Sequence, residues 1–456
     1  MKALLPVFDE TRKKPYYLQL YDYIRDAILS GEITEGEKLP SLRSLSKSTH
    51  LSITTIEQAY NQLLVEGYVS SRAQSGFYVS RVAAGKSVAN ETVYPELNFS
   101  DIAYVPAMQY DPECFDFNKW KKCMNKVLTD GSSALHFEGD PLGEPALRHE
   151  IARYLYVSRG VSCDPSQIII AAGTQQITNH LSTILRKLYI ENVALENPGY
   201  APVRSIFRDR GFAITSVDVG ETGLILEKLP ANIRSAVYVS PSNHSFTGAV
   251  MPVGRRYELL EWAEANDSYI IEDDYDSELR YFGRPIPALK SLDRKQRVIY
   301  LGSFSSTLFA AVKISYMVLP QNMADIFTSI AGDYSQTCSK LEQLTLAMFM
   351  ETGKYQTHIR KLRKLYSQKL AMTVDTLRRE AKDFIDVTNT SSGISLILKF
   401  NCDKHVLQIK KEAESLGVSS QILSPEGNSL ILYYSSIPLA EINSVLSELV
   451  SLWRKV

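Results

Sequence analysis

Histidine and cysteine carry most metal and redox chemistry, and neither is spaced for it in this chain. The five cysteines (Cys114, Cys123, Cys163, Cys338, Cys402) are odd in number and scattered, the pattern of reduced cytosolic thiols, mostly core, rather than of zinc or redox pairs. His136, His149, His180 and His244 likewise lack metal-ligand spacing and read as solvated or core-lining residues, so no metal is expected. Carboxylates concentrate in YIIEDDYDSEL at 269–279, where Asp273 follows a β-branched run; taken alone it is an ordinary strand-end carboxylate. Near the N-terminus, Arg43, Lys47 and Arg72 are the bases placed to contact phosphates.

The elements that position those bases can be read from periodicity. Leu18, Leu20, Tyr21, Ile24, Ala27 and Ile28 recur at helical intervals up to Gly31. Pro40 and Ser41 open a second helix carrying Arg43 and Lys47, and His50–Leu51 forms a turn. Ser52 is an N-cap for a third helix, ITTIEQAYNQLLVEG, with Ile56, Ala59, Tyr60, Leu63 and Leu64 as its buried stripe. Tyr68–Ser70 and Gly76–Val79 then make two short strands joined by SRAQS. Three helices with a tight turn and a hairpin wing are the arrangement that lets one helix enter the major groove.

Bulk composition neither adds to this nor opposes it. The 456 residues are 45% hydrophobic and 22% charged, with a formal net charge of -1, so the DNA case rests on local features. Residues 1–81 hold ten lysines and arginines against nine carboxylates, and a dimer presenting two modules is the expected route to affinity. The N-terminus lacks a continuous apolar stretch and no later run approaches ~20 apolar residues; a cytoplasmic protein without a membrane span is expected. Residues 82–96 read as a linker. Beyond it, β-branched runs such as QIIIAAG, NVALENPGY, SAVYVSPS and RVIYLGSFS alternate with amphipathic helices, which indicates an α/β domain with a largely parallel sheet over 97–350. The remaining 351–456, with a long helix at 355–382, strands in SGISLILKF and SLILYYS and a helix in HVLQIKKEAESLG, read as a smaller α+β domain.

Two resemblances sharpen these readings. KLPSLRSLS, LSITTIEQAYNQLLVEGYV and SGFYV resemble the GntR-type winged helix over residues 15–80. That resemblance implies DNA contacts from Arg43, Lys47, Ser52, Thr54, Thr55 and the segment Arg72 to Gly76, including Ser75. Many relatives carry arginine where this chain has Ile53, so a guanine contact from that position is lost. The rest, through GDPLGEPALRHEIARYL (139–155), AAGTQQ (171–176), ENPGY (196–200), TGAVMP (247–252), YIIEDDYDSEL and YLGSFSSTLFAAVKISYMVLP (300–320), resembles fold-type I aminotransferases, in particular the MocR/GabR regulators that fuse such a domain to a GntR-type module. It implies a pyridoxal phosphate site: Gly173, Thr174, Ser303 and Ser305 in the phosphate cradle with Lys313 at the phosphate-gripping position, Asp273 on the pyridine nitrogen, Tyr275 on the ring hydroxyl, and Gln175 and Tyr200 as further cofactor-binding residues.

The same resemblance exposes departures. The Schiff-base lysine stands thirty-three residues after the aspartate, which here is Ser306, and a serine hydroxyl cannot form an imine. The phosphate-gripping arginine seven residues on is Lys313, which is read as a strand residue; the loop histidine is Asn243; the carboxylate-gripping arginine is read as Ser436; and Ala201-Pro202 follow ENPGY without an arginine. Loss of several positions together points to relaxed demand for the chemistry rather than one engineered change. Lys290 reads as a surface residue. No catalytic residue is therefore expected, and any pyridoxal phosphate would be held non-covalently. Three functions stay open: a dimeric DNA-binding regulator sensing a small molecule such as a vitamin B6 vitamer or an amino acid-like effector, an aminotransferase with an appended DNA-binding domain, and a constitutive DNA-binding dimer with no ligand.

Overall fold

The structure is a computed structural model describing Phe8 and residues 14–82, 114–281, 286–424 and 427–455. The linker read at 82–96 falls, apart from Val82, outside the described residues, as does the start of the domain read from 97. The chain divides into two compact units, 1–103 and 104–456.

In the first unit, α1 (Tyr16–Leu29), α2 (Leu42–Thr49) and α3 (Ile53–Val65) precede a hairpin of β1 (Val69–Arg72) and β2 (Gly76–Val79). Both expected caps form: Ser41 Oγ accepts from Ser44 N at 3.2 Å and Ser52 Oγ from Thr55 N at 3.1 Å, satisfying amides that a helix start leaves without partners. His50, with φ 60°, turns the chain between α2 and α3. Leu20, Ile24, Leu45, Ile56, Ala59, Tyr60 and Leu63 make the core, and Tyr60 donates from its buried ring to Pro40 O at 3.0 Å. The first wing strand runs on to Arg72, two residues beyond the expected Ser70.

The second unit is built on β3 (Ile168–Ala172), β4 (Asn192–Asn197), β5 (Ala213–Gly220), β6 (Gly223–Leu224), β7 (Ser235–Val239), β8 (Tyr269–Asp273), β9 (Val298–Ser303) and β10 (Ile314–Val318), in the order β3-β10-β9-β8-β7-β4-β5-β6. The pairs β4/β5, β4/β7, β7/β8 and β8/β9 are parallel, whereas β10 runs antiparallel to β3 and β9. The central strands are buried along their length, as helices on both faces require. Those helices include α4 (Phe117–Asp130), α5 (Pro145–Arg159), α6 (Gly173–Lys187), α7 (Ala201–Asp209) and α8 (Val253–Ala265). Further on, α9 (Gln321–Ile330), α10 (Lys340–Glu351) and the long α11 (Lys354–Glu380) lead to the antiparallel β11 (Ile385–Thr388), β12 (Leu396–Phe400), β13 (Ser420–Ser424) and β14 (Ser429–Leu432), packed on α11, α12 (Val406–Ser415) and α13 (Ile442–Arg454). The sequence reading missed β11 and β13, the outer strands of that sheet, because their short runs alternate with exposed polar residues and carry no apolar block.

Gly302, one residue before Ser303 in β9, shows how closely this sheet is packed. A Cβ there would lie 2.3 Å from Cζ of the buried Tyr316 opposite it. Gly302→Ala is expected to destabilise the large unit by about 1–3 kcal/mol through overpacking, read as a lower urea midpoint for its unfolding transition; an unshifted midpoint would contradict the packing described.

Candidate functional site

The first unit leaves the basic and hydroxyl residues of interest at its surface. Arg43 and Lys47 of α2 and Ser52 and Thr54 at the start of α3 are exposed. Thr55 is half-buried and its hydroxyl is 2.8 Å from Ser52 Oγ, so both belong also to the helix cap. In the wing, the Arg72 guanidinium lies 4.3 Å from the Tyr78 ring centre and Lys38 Nζ 5.8 Å from it. Ser75 Oγ is 2.6 Å from the Tyr78 hydroxyl, and Gly76 turns with φ 107° beside Lys38. The wing is thus a basic cluster on an aromatic ring. The sequence reading named Arg72 but missed Lys38 and Tyr78, because Lys38 joins the wing only through its bridge to Tyr78 across forty positions.

In the second unit the C-terminal ends of the parallel strands surround a cavity of about 760 Å³, the size of a small-molecule site and the expected place for one in an open α/β sheet. Gly173, Thr174, Gln175, Tyr200, Asp273, Tyr275, Ser303, Ser305, Ser306 and Lys313 all line it. Gly173 starts α6 with φ 81° and open space where a Cβ would project, which brings the unpartnered first-turn amides of α6 to the cavity wall. Opposite, Ser303 Oγ accepts from Ser305 N at 3.3 Å and from Ser315 Oγ at 3.0 Å.

Alternation along β8 decides which carboxylates face this space. Glu272 is fully buried and takes the amides of Leu289 and Lys290 at 2.7 and 2.8 Å. Asp273 faces the cavity, where Tyr238 from β7 donates to its Oδ2 at 2.5 Å. Burial raises the Asp273 pKa to about 6 against the opposing effect of that hydrogen bond. Asp274 turns inward to Arg159, at 2.7 Å. Ser306 donates to Tyr275 O at 2.5 Å, so its hydroxyl is tied to the site's own backbone. Asn243, 5% exposed, donates to Asp276 Oδ2 at 2.7 Å. His244 is held between Thr247 Oγ1 at 2.8 Å and Pro198 O at 3.0 Å, and burial lowers its pKa to about 4. It is a neutral structural residue.

The donor set fits pyridoxal phosphate: helix-start amides, hydroxyls and a lysine for a dianionic phosphate, and a buried carboxylate for a pyridinium. A covalent anchor is what the residue at 306 does not supply.

Comparison with known proteins agrees with this geometry. The GntR family of bacterial regulatory proteins matches residues 16–79 and aminotransferase class I and II matches residues 108–414. The chain is 35% identical to the HTH-type transcriptional regulator YhdI of Bacillus subtilis over 99% of this chain and 98% of that protein. It is 30% identical to the probable rhizopine catabolism regulatory protein MocR of Rhizobium meliloti over 94% and 92%, and 32% identical to the pyridoxine biosynthesis regulator PdxR of Corynebacterium glutamicum over 89% and 87%. This chain is a MocR-type transcriptional regulator. Its large unit shares the fold of the α-aminoadipate aminotransferase LysN from Thermus thermophilus, with a TM-score of 0.65 at 23% identity over 75% of this chain and 90% of that one.

Three readings of this MocR-type regulator change on the structure. Lys313 is not on a strand: it has a left-handed backbone, φ 45°, just before β10, and is exposed at the cavity rim. Lys290 is not at the surface, since it is half-buried with Nζ donating to Val298 O at 2.6 Å. Ser436 lies in the turn after β14, bonded to Tyr433 O, while the residues of that segment lining the cavity are Ile431 and Tyr433. Tyr238 and Asp276 were not singled out, and Asn243 only as the residue at the family's loop-histidine position; only strand order brings Tyr238 against Asp273. Among the described residues no cluster of histidines, cysteines and carboxylates could hold a metal ion, and no helix is long and apolar enough to cross a membrane.

The buried acids of the regulator set a pH dependence. Glu196 and Asp276 are each pushed up to about 8, chiefly by burial. From pH 6.5 the unfolded chain has already released these protons, whereas the native state holds them until the pH passes about 8, so raising the pH through this window favours unfolding. The melting temperature of the large unit should fall across that window in differential scanning fluorimetry. A flat or rising profile would mean that these carboxyls are ionised in the folded protein.

Proposed function

We propose that this transcriptional regulator binds operator DNA as a cytoplasmic homodimer through residues 1–81, and that its aminotransferase-like region, 97–350 with the smaller 351–456, senses a small-molecule effector without Schiff-base chemistry. What supports the reading is the cavity that Thr174, Asp273, Ser303, Ser305 and Lys313 line together with Ser306, the residue that the resemblance sets at the lysine position. The pyridoxine-linked name of one relative makes a vitamin B6 vitamer the first ligand to try. Pyridoxal phosphate, when bound, supplies an electrophilic aldehyde. In this chain Thr174, Ser303, Ser305 and Lys313 would bind its phosphate and Asp273, steadied by Tyr238, would hold a proton on its ring nitrogen. Ser306 offers no amine, so binding stays reversible and the protein is not an aminotransferase.

Arg43 and Lys47 of α2 and Arg72 of the wing fit phosphate contacts, with Thr54 and its neighbours on α3 toward base edges. In a gel-shift titration at fixed salt on the protein's own upstream DNA, Arg43→Ala and Thr54→Ala should each weaken binding, by about 1–3 kcal/mol where a base contact is lost. Unchanged affinity in both variants would remove these residues from the interface.

Calorimetric titration of the intact protein with pyridoxal phosphate tests the cavity. Wild type should bind it without the visible band of a lysine adduct, and Asp273→Ala should bind more weakly by roughly 1.5–3 kcal/mol, the range for a charge-assisted hydrogen bond. Ser306→Lys should acquire a visible absorption band when the cofactor is added. A folded, colourless Ser306→Lys variant together with no heat of binding in wild type would refute a cofactor pocket, and transamination by wild type above a cofactor blank would refute the absence of enzyme activity.

A further inference from the structure

The outward face of α3 differs in chemistry from the rest of the DNA-binding unit. Ile53, Thr54, Glu57, Gln58, Asn61 and Gln62 are its exposed residues in the first three turns, and they include no lysine or arginine. Cations come instead from α2, through Arg43 and Lys47, and from the wing, through Lys38 and Arg72. On that placement phosphate contact falls to α2 and the wing, and α3 is left with neutral hydrogen bonds, the Glu57 carboxylate and apolar contact for reading bases.

Ile53 is the one large aliphatic side chain among these residues of the first three turns. It is 47% exposed, stands directly after the cap residue Ser52, and takes no part in the unit's core. A single exposed apolar residue is ordinary on a protein surface. Its place is not ordinary, because the first turn of a recognition helix is where side chains meet base edges. In the major groove the feature of a base edge that an alkyl group complements is the C5 methyl of thymine. Hydrogen-bonding groups of guanine, cytosine or adenine set against Ile53 would lose water and gain no partner.

We propose that Ile53 is a specificity-determining residue of this regulator, packing its side chain against a thymine methyl in each half-site of the operator. Thr54 beside it supplies a hydroxyl that can bond a neighbouring base edge in either sense, so the apolar contact, and not Thr54, fixes thymine at its position. The proposal rests on α3 entering the major groove.

The test uses the intact protein and an operator selected by it from random duplex DNA. Each thymine of a half-site, with its symmetry mate, is replaced by deoxyuridine, which removes the methyl and leaves base pairing unchanged. At one position wild type should lose affinity about fourfold per methyl, the value of one buried carbon. Ile53→Ala should bind the unmodified operator correspondingly more weakly and be insensitive to deoxyuridine at that position, whereas Ile53→Val should keep the sensitivity. Ile53 lies outside the core, so both variants should unfold with the wild-type midpoint. Wild type indifferent to every deoxyuridine, or Ile53→Ala retaining the wild-type sensitivity, would overturn the proposal. If Thr54→Ala still weakens binding in that case, α3 remains in the groove and only the thymine contact fails; if Thr54→Ala and Ile53→Ala both bind as wild type, the docking of α3 fails with it.

Discussion

The cavity of the large unit depends on one buried ion pair. Arg159, the last residue of α5, and Asp274, the residue after β8, are 4% and 1% exposed at their side chains and meet at 2.7 Å. Such a pair gains little over an apolar replacement but is costly to half-break, because the surviving charge is left in a medium that cannot solvate it. Here both partners are further committed. Arg159 also donates to Ser242 Oγ and to Ile286 O, and Asp274 also accepts from Tyr300 and Ser277. The network ties α5, β8, β9 and the loop after β7 at the strand ends. With Asp274 pinned inward, strand alternation leaves Asp273 only the cavity side, and the loop carrying Asn243 is held by its neighbour Ser242.

That dependence explains what the sequence could and could not disclose. The winged unit was readable nearly to the residue, since its signals are local: Ser41 and Ser52 cap helices three positions away, and Gly31 and Gly67 stop them. In the large unit the residues that line the cavity came through motifs whose order along the chain is itself informative. What stayed hidden was set by contacts between distant segments. Tyr238 reaches Asp273 across thirty-five positions because β7 and β8 are neighbours in the sheet. Burial also reassigned Lys290, whose amine ends on a strand carbonyl. For Lys313 the alternation argument did not apply, since a left-handed residue does not follow the pleat of the strand it precedes. Ser436 fails for a related reason: a turn separates it from the strand positions that face the cavity.

The two units divide the electrostatic work differently. The cavity assembles donors at the start of α6 and around Ser303, and acceptors at Asp273 and the Asn243–Asp276 pair, inside a protein whose net charge is -1. Fields there act over a few ångströms in a medium poor in water, so a handful of oriented groups outweighs the overall charge. The DNA-binding unit faces a partner whose charge is spread along a duplex. There the placement of Arg43, Lys47, Arg72 and Lys38 around an α3 without basic residues matters more than the sum, and on the proposed dimer two copies on one duplex would double the phosphate contacts without raising the charge of either.

On the proposed reading, replacing a covalent anchor by reversible binding would change what such a cavity can be used for. A lysine-bound cofactor stays in place whatever its concentration, so its occupancy carries no information about supply. A group held only by Ser303, Ser305, Thr174, Lys313 and Asp273 comes and goes with its free concentration, and stabilises the state that binds it in proportion to RT ln(1 + [L]/Kd). Occupancy alone would still not alter transcription, because a ligand that binds two conformations equally shifts neither. The lever must lie in groups whose arrangement differs with and without ligand. Asp273 qualifies, since a pyridinium would hold ionised a carboxyl that burial pushes up to about 6, and its partner Tyr238 and neighbour Asp274 join it to the Arg159 network. On the proposed reading, charge introduced at the cavity wall would be felt by the ion pair that joins α5 to the strand ends, so Arg159–Asp274 is the element through which occupancy would reach the rest of the large unit.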